Sequence, residues 1–201
     1  GVIGLVKKVI KSNLIFLFLL MFTLTPAYAD ESELASSFIE TLGKKAISIL
    51  NSKELTQSEN INEFKKILNL GFDIDLISRY ALGRYWRSAS TEERKEYQTL
   101  FNKFIVSSYS SRLSQFGGEK FVVTGSRQDK NKDYIVSSQI IPPRGSKIRA
   151  EWRVRKKTTE FKIVDVIIEG VSMVITQRDE FSSIIQRSGG KLSGLIKVLK
   201  N

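Results

Sequence analysis

The strongest constraint on this chain is one change of hydrophobic period, at Gly117-Gly118. Before it, apolar residues recur at the three-to-four spacing of a helix face; after it they alternate, as on a strand. Leu34, Phe38, Ile39, Leu42, Ala46 and Ile49-Leu50 predict a first helix. Thr56-Gln-Ser-Glu59 is a capping box. It opens a second helix carrying Ile61, Phe64 and Ile67-Leu68, and Gly71 is expected to end it. Asp73 caps a short third helix with Ile74, Ile77, Tyr80 and Leu82. Ser90-Thr-Glu-Glu93 is a second capping box, and its helix is expected to run to about Phe116.

Downstream, residues 121–125 form a strand and residues 129–132 a turn. Residues 134–141 form a second strand, closed by Pro142-Pro143-Arg-Gly145. In residues 147–156, Ile148, Ala150, Trp152 and Val154 alternate with Arg149, Glu151, Arg153 and Arg155. Residues 161–169 are apolar on both faces except at Asp165, which predicts a central strand. Helix returns from about Ser172 to Arg187, and a last short helix follows Gly189-Gly190. Helices segregated from an antiparallel meander make the chain α+β: N-terminal helices on a four- to five-stranded sheet, then C-terminal helices.

The first 29 residues read as a signal peptide. Lys7, Lys8 and Lys11 precede an apolar run over residues 14–24, and Ala27-Tyr28-Ala29 is a small-x-small cleavage site. Cleavage is expected after Ala29, leaving residues 30–201 as one domain in the space outside the inner membrane. Losing three lysines and no acid takes the net charge from +11 to +8. With an export signal, that balance points to anionic headgroups or an acidic protein rather than nucleic acid. The chain has no cysteine, so no part of the fold rests on a disulfide. It also has no histidine, the commonest general base and metal ligand.

Two blocks carry a resemblance. Residues 72–94 hold Arg79, Leu82-Gly83, Trp86-Arg87 and Ser90 at fixed offsets and lead into a helix with Phe101, Phe104 and Tyr109. Residues 164–174 read Val-Asp-Val-Ile-Ile-Glu-Gly-Val-Ser-Met-Val. Together they resemble the MlaC, or toluene-tolerance auxiliary, family over roughly residues 32–199, and two linked motifs are more specific than one. The resemblance implies a periplasmic phospholipid carrier of double-membrane bacteria that helps maintain outer-membrane lipid asymmetry. It implies as partners an inner-membrane ABC transporter with a lipid-binding ring and an outer-membrane lipoprotein–porin complex. No cofactor is implied beyond the transported phospholipid.

The resemblance also implies an apolar cavity between sheet and helices; composition alone does not separate a cavity from a filled core. Its expected wall is Val136, Ile140, Ile148, Ala150, Trp152, Val154, Ile163, Val164 and Val166 on the sheet. Tyr80, Trp86, Phe104 and Tyr109 are expected on the helical side. Only one face of each strand looks inward, so these sheet residues cannot all line one space. Arg79, Arg84 and Arg87 either meet a headgroup or partner, or pair locally with Asp73, Asp75 or Glu92. Arg149, Arg153, Arg155, Lys156 and Lys157 form a basic stripe suited to solvent or to an anionic partner. Asp165 and Glu169 lie on one side of a strand, but no nucleophile, histidine or phosphate-cradling loop accompanies them. Hydrogen bonding to turns and caps is their expected work, and no enzyme is expected. A hopanoid or other hydrophobic small molecule is the alternative cargo, with a solvent-tolerance role.

Overall fold

The computed structural model describes residues 30–201. The signal-peptide and cleavage expectations lie outside the described residues. Four helices of useful length lead into the sheet: α1 (Glu31–Leu50), α2 (Gln57–Gly71), α3 (Ile74–Leu82) and, after the single turn α4 (Tyr85–Ser88), α5 (Thr91–Ser110). Strands β1 (Lys120–Gln128), β2 (Tyr134–Ile141), β3 (Ile148–Lys157), β4 (Glu160–Ile168) and β5 (Val171–Ser172) follow, then α6 (Met173–Arg187) and α7 (Leu192–Lys200).

Local chemistry sets most of these boundaries. Thr56 and Ser90 each accept the amide three residues on, and Glu59 and Glu93 reach back to the cap amides, so both capping boxes are closed. Asp73 accepts the Leu76 amide at 3.2 Å and starts α3. One helix boundary differs from expectation, and another falls at the expected residue by different means. The long helix α5 stops at Ser110, and Leu113–Gln115 is a separate 3-10 turn. Gly71 does not end α2 by adopting a left-handed conformation; the C-cap is Phe72, in extended backbone. The glycine is needed for space, because a Cβ there would meet Leu42 of α1 at 2.4 Å.

The sheet is a meander in the order β1-β2-β3-β4-β5, antiparallel throughout. The strand expected to be central, β4, is next to the edge. Beyond it lie only the two-residue β5 and one parallel bridge from Phe72 to Ile163. Its two apolar faces have a different cause: Ile163 joins the core shared with α1, while Val164 lies with residues of α3 and α6. A register shift between Arg153 and Val154 makes Val164 an extra residue, a β-bulge.

The apolar interior has two parts. One lies among α3, α5, α6 and α7 and is filled by Leu82, Tyr97, Phe101, Phe181, Ile185 and Leu195, each at most 2 % exposed. The other lies between α1 and the sheet, around Ala35, Ile39, Val136, Val154 and Ile163. Among the described residues, no helix is long and apolar enough to cross a membrane.

Candidate lipid cavity

Beside the second core the packing stops short and leaves a cavity of about 870 Å³. Its floor is the inner face of the sheet: Phe121 of β1, Trp152 of β3, and Ile163, Val166 and Ile168 of β4. One wall is the line Leu42, Ala46 and Ile49 of α1; the facing wall is Ile61, Phe64 and Leu68 of α2. Phe101, Ile105 and Tyr109 of α5 close the far side, with Met173 and Val174 of α6 at the end of β4. The volume is near the top of the range for small-molecule sites, roughly 300–1,000 Å³.

Trp152 shows how the floor is kept apolar. Its indole N–H donates to Ser138 Oγ at 2.8 Å, and that hydroxyl donates to the Ala150 carbonyl at 2.9 Å. The polar end of the ring is thus satisfied inside the sheet, and the rest of the ring is free to line the cavity. Phe121 packs edge-on against it, with ring centroids 6.0 Å apart. Gly43 makes room for Phe121, since a Cβ there would lie 2.4 Å from the phenyl ring. Polar groups enter the wall in three places: Gln57 and Asn60 of α2, Ser110 at the end of α5, and Asp165 and Gln177 where β4 meets α6.

Of the expected wall, Tyr109, Trp152, Ile163 and Val166 border the cavity. Val136, Ala150 and Val154 share the correct face but are wholly buried, so they fill the core instead. Ile140 and Ile148 pair with each other at the end of β2 and β3, outside the wall, and Ile148 is 38 % exposed. Phe104 packs against the Phe101 and Phe181 rings in the helical core. Tyr80, Trp86 and Val164 border a different pocket, near α3 and the start of α6. The α1 and α2 walls, with Phe121 and Gly43, were not foreseen as site residues. Their signal is present in the sequence: α2 carries an apolar stripe from Ile61 to Leu68 although its first half has no buried residue.

The charged expectations also resolve. Each member of the basic stripe has a carboxylate: Arg149 with Glu169 at 3.3 Å, Arg153 with Asp129, Arg155 with Asp133 at 2.8 Å, Lys156 with Glu31 and Lys157 with Asp73. It is a paired lattice, not a free cationic track. The local ion pairs expected for Arg79, Arg84 and Arg87 are not formed among the described residues. Arg84 lies over the Tyr85 ring and donates to its hydroxyl at 3.0 Å; Arg79 lies over Trp86. Asp165 accepts the Ser172 hydroxyl at 2.6 Å and the Val174 amide at 3.2 Å, fastening α6 to β4. Glu169 accepts the Arg149 backbone amide at 2.6 Å, and that bond holds its carboxyl below the usual range. Both acids therefore serve turn and cap geometry.

Known proteins share this architecture. The phospholipid-binding protein from Ralstonia solanacearum, solved in complex with a phospholipid, superposes with a TM-score of 0.71 over 83 % of this chain and 94 % of that one, at 19 % identity. The toluene tolerance protein ttg2D of Pseudomonas putida is 25 % identical over 152 residues, 73 % of this chain and 71 % of the relative. The intermembrane phospholipid transport system binding protein MlaC of Haemophilus influenzae is 25 % identical over 112 residues, 54 % of this chain and about half, 52 %, of that relative. The sequence model of the MlaC protein matches residues 40–201, which takes in the cavity floor and most of its helical walls, and the chain therefore belongs to the MlaC family.

Proposed function

We propose that this protein is a periplasmic phospholipid carrier whose cavity holds the acyl chains out of water. The observation that carries this reading is an 870 Å³ space walled by apolar side chains in a fold whose relatives are named for phospholipid binding and transport. Burying a methylene is worth about 0.8 kcal/mol, so two acyl chains represent on the order of 20 kcal/mol of transfer from water. The competing site is a bilayer, equally apolar. Exchange between membrane and carrier is then nearly neutral, and direction comes from the partners at each end. In this reading those are an inner-membrane ABC transporter with a lipid-binding ring and an outer-membrane lipoprotein–porin complex. The shuttle maintains outer-membrane lipid asymmetry. It needs no nucleotide or metal of its own and performs no covalent chemistry.

Native mass spectrometry of the mature protein, followed by lipid extraction, tests this. A retained species carrying phosphate and two acyl chains is expected. A polycyclic ligand without phosphate would replace phospholipid by a hopanoid-like cargo. Protein that stays empty and takes no lipid from vesicles would end the proposal.

A further inference from the structure

The second pocket, about 540 Å³, is unlike the cavity in its chemistry. Arg79, Arg87, Arg153, Arg155 and Arg178 all border it, with Tyr80 and Trp86. The bulge at Val164 helps make it, because Val164 and Asp165 both reach the pocket beside Arg153. It touches the lipid cavity only at Asp165 and Val174.

The five cations are not equally neutralised. Arg155 is bidentate to Asp133, at 2.8 and 2.9 Å, and Arg153 is held by Asp129. Arg79 and Arg87 have no ion pair among the described residues. Among the described residues, Arg178 has only its chain neighbour Asp179, at 3.8 Å, with both side chains well exposed. Asp165 is already committed to Ser172 and Val174. The pocket is also preorganised. Trp86 has Arg79 on its ring at 5.9 Å and Arg94 at 5.2 Å, and Arg94 ties down the carbonyls of Trp86 and Arg87. Arg155 donates to the Tyr80 hydroxyl at 3.3 Å.

We infer that this pocket is a phosphate-oxyanion site, separate from the apolar cavity, in which Arg79, Arg87 and Arg178 supply the uncompensated charge. Guanidinium forks match the oxygens of a phosphate, and charge-assisted bonds of that kind are the strong ones. Converging cations repel one another, and an anion seated among them relieves that repulsion. The concavity has the size of a small ligand or headgroup rather than of a protein docking face. The oxyanion can come from free phosphate or from a lipid headgroup. The inference does not rest on the cavity holding lipid.

The chain's two tryptophans separate the two sites: Trp86 borders the pocket and Trp152 the cavity. In Trp152→Phe protein, Trp86 emission is expected to change saturably with inorganic phosphate or glycerol 3-phosphate, but not with chloride at equal ionic strength. Adding Arg79→Gln and Arg87→Gln should weaken that response at least about tenfold, the loss of one to two charge-assisted bonds. Those two changes in Trp86→Phe protein should leave the Trp152 response to phospholipid vesicles intact, which also shows that the variant folds. Phosphate that still titrates lipid-loaded protein identifies free phosphate as the source. Phosphate excluded by lipid loading, with Trp86 already shifted, identifies the headgroup. A chloride-equivalent response, unchanged affinity in the double variant, or a response to a glutamate-rich peptide but not to phosphate overturns the site. Trp86→Phe protein that keeps both arginines but gives no Trp152 response to vesicles counts against the lipid-carrier reading and leaves this one standing.

Discussion

The two apolar interiors of this molecule have similar ingredients and opposite outcomes. Among α3, α5, α6 and α7 the aromatic rings interlock. Phe181 meets Tyr97, Phe101 and Phe104 at centroid distances of 6.3, 6.2 and 5.7 Å. Between α1, α2 and the sheet there are aromatic pairs too, Phe38 with Phe161, Tyr134 with Phe161 and Phe121 with Trp152, yet about 870 Å³ of space stays open beside the last. The difference lies in what holds the elements apart. In the helical core, ring fills the gap beside ring. On the sheet side, Trp152 is held sideways by Ser138 of the next strand, and α1 makes close approaches at Gly43 and at the Leu42–Gly71 contact, with the gap beside them. Apolar composition selects burial; it does not by itself select filling.

The sharpest test of that contrast is a pair of truncations. Phe181→Ala should cost about 3–5 kcal/mol in chemical denaturation, because it opens a hole in a closed core. Phe64→Ala, on the cavity wall, should cost roughly 1 kcal/mol or less, because its side chain already faces free space. Equal losses would mean that the two interiors are packed alike. The reverse experiment enlarges residues of one helix. Ala35 is wholly buried against the sheet core, and Ala35→Trp should destabilise by about 1–3 kcal/mol or more through overpacking. Ala46 lines the cavity, and Ala46→Trp should be close to neutral in stability while abolishing lipid uptake from vesicles. A destabilised Ala46→Trp protein that still takes up lipid would break the comparison.

Smaller effects refine it. Ser138→Ala leaves the Trp152 indole N–H without its acceptor and should cost about 1–3 kcal/mol, with a shift in Trp152 fluorescence as the direct readout. The smallest effect is acid-dependent. Lys156, and then the Tyr134 hydroxyl, hold the Glu31 carboxyl below its ordinary value. A depressed folded-state value means that the contact contributes fully above the unfolded carboxylate range and is lost as pH falls through the lowered value. The hold on the start of α1 should therefore loosen on acidification, seen as lower amide protection at that end relative to the intrinsic exchange rate at each pH. Glu31→Gln should remove the pH dependence while leaving α7 unaffected.

The ease of reading the sequence followed the range of the interactions. The capping boxes at Thr56 and Ser90 are three-residue devices, and both formed where their pattern stands. The alternation in β3 correctly put Ala150, Trp152 and Val154 on one face. Depth along that face was not legible, because it depends on what packs over it: Val154 joins the core with Ala35 and Ile39 of α1, Ala150 is wholly buried, and Trp152 lies beside the gap. The place of β4 was misread for a related reason. Cover on both faces leaves the same apolar signature on a strand near the edge as on a central one. Phe104 and Tyr109 belong to one helical stripe, yet one enters the aromatic core and the other reaches the cavity. Five residues apart on one continuous helix, they point in different directions, and which neighbour each meets is a tertiary fact without a local code.

The two cavity-wall helices are mounted differently. At one end α1 is tied to Lys156 and Tyr134 through Glu31; just past its other end, Asn51 accepts the Gly118 amide at 2.6 Å. The buried residues of α2 are confined to Ile67, Leu68 and Gly71, all at its last turns. A beam clamped at both ends resists bending, whereas a cantilever swings at its free tip. The first half of α2 is thus the less firmly held part of the wall, and we expect a fatty tail to enter there, past Gln57 and Ile61, while α1 stays still.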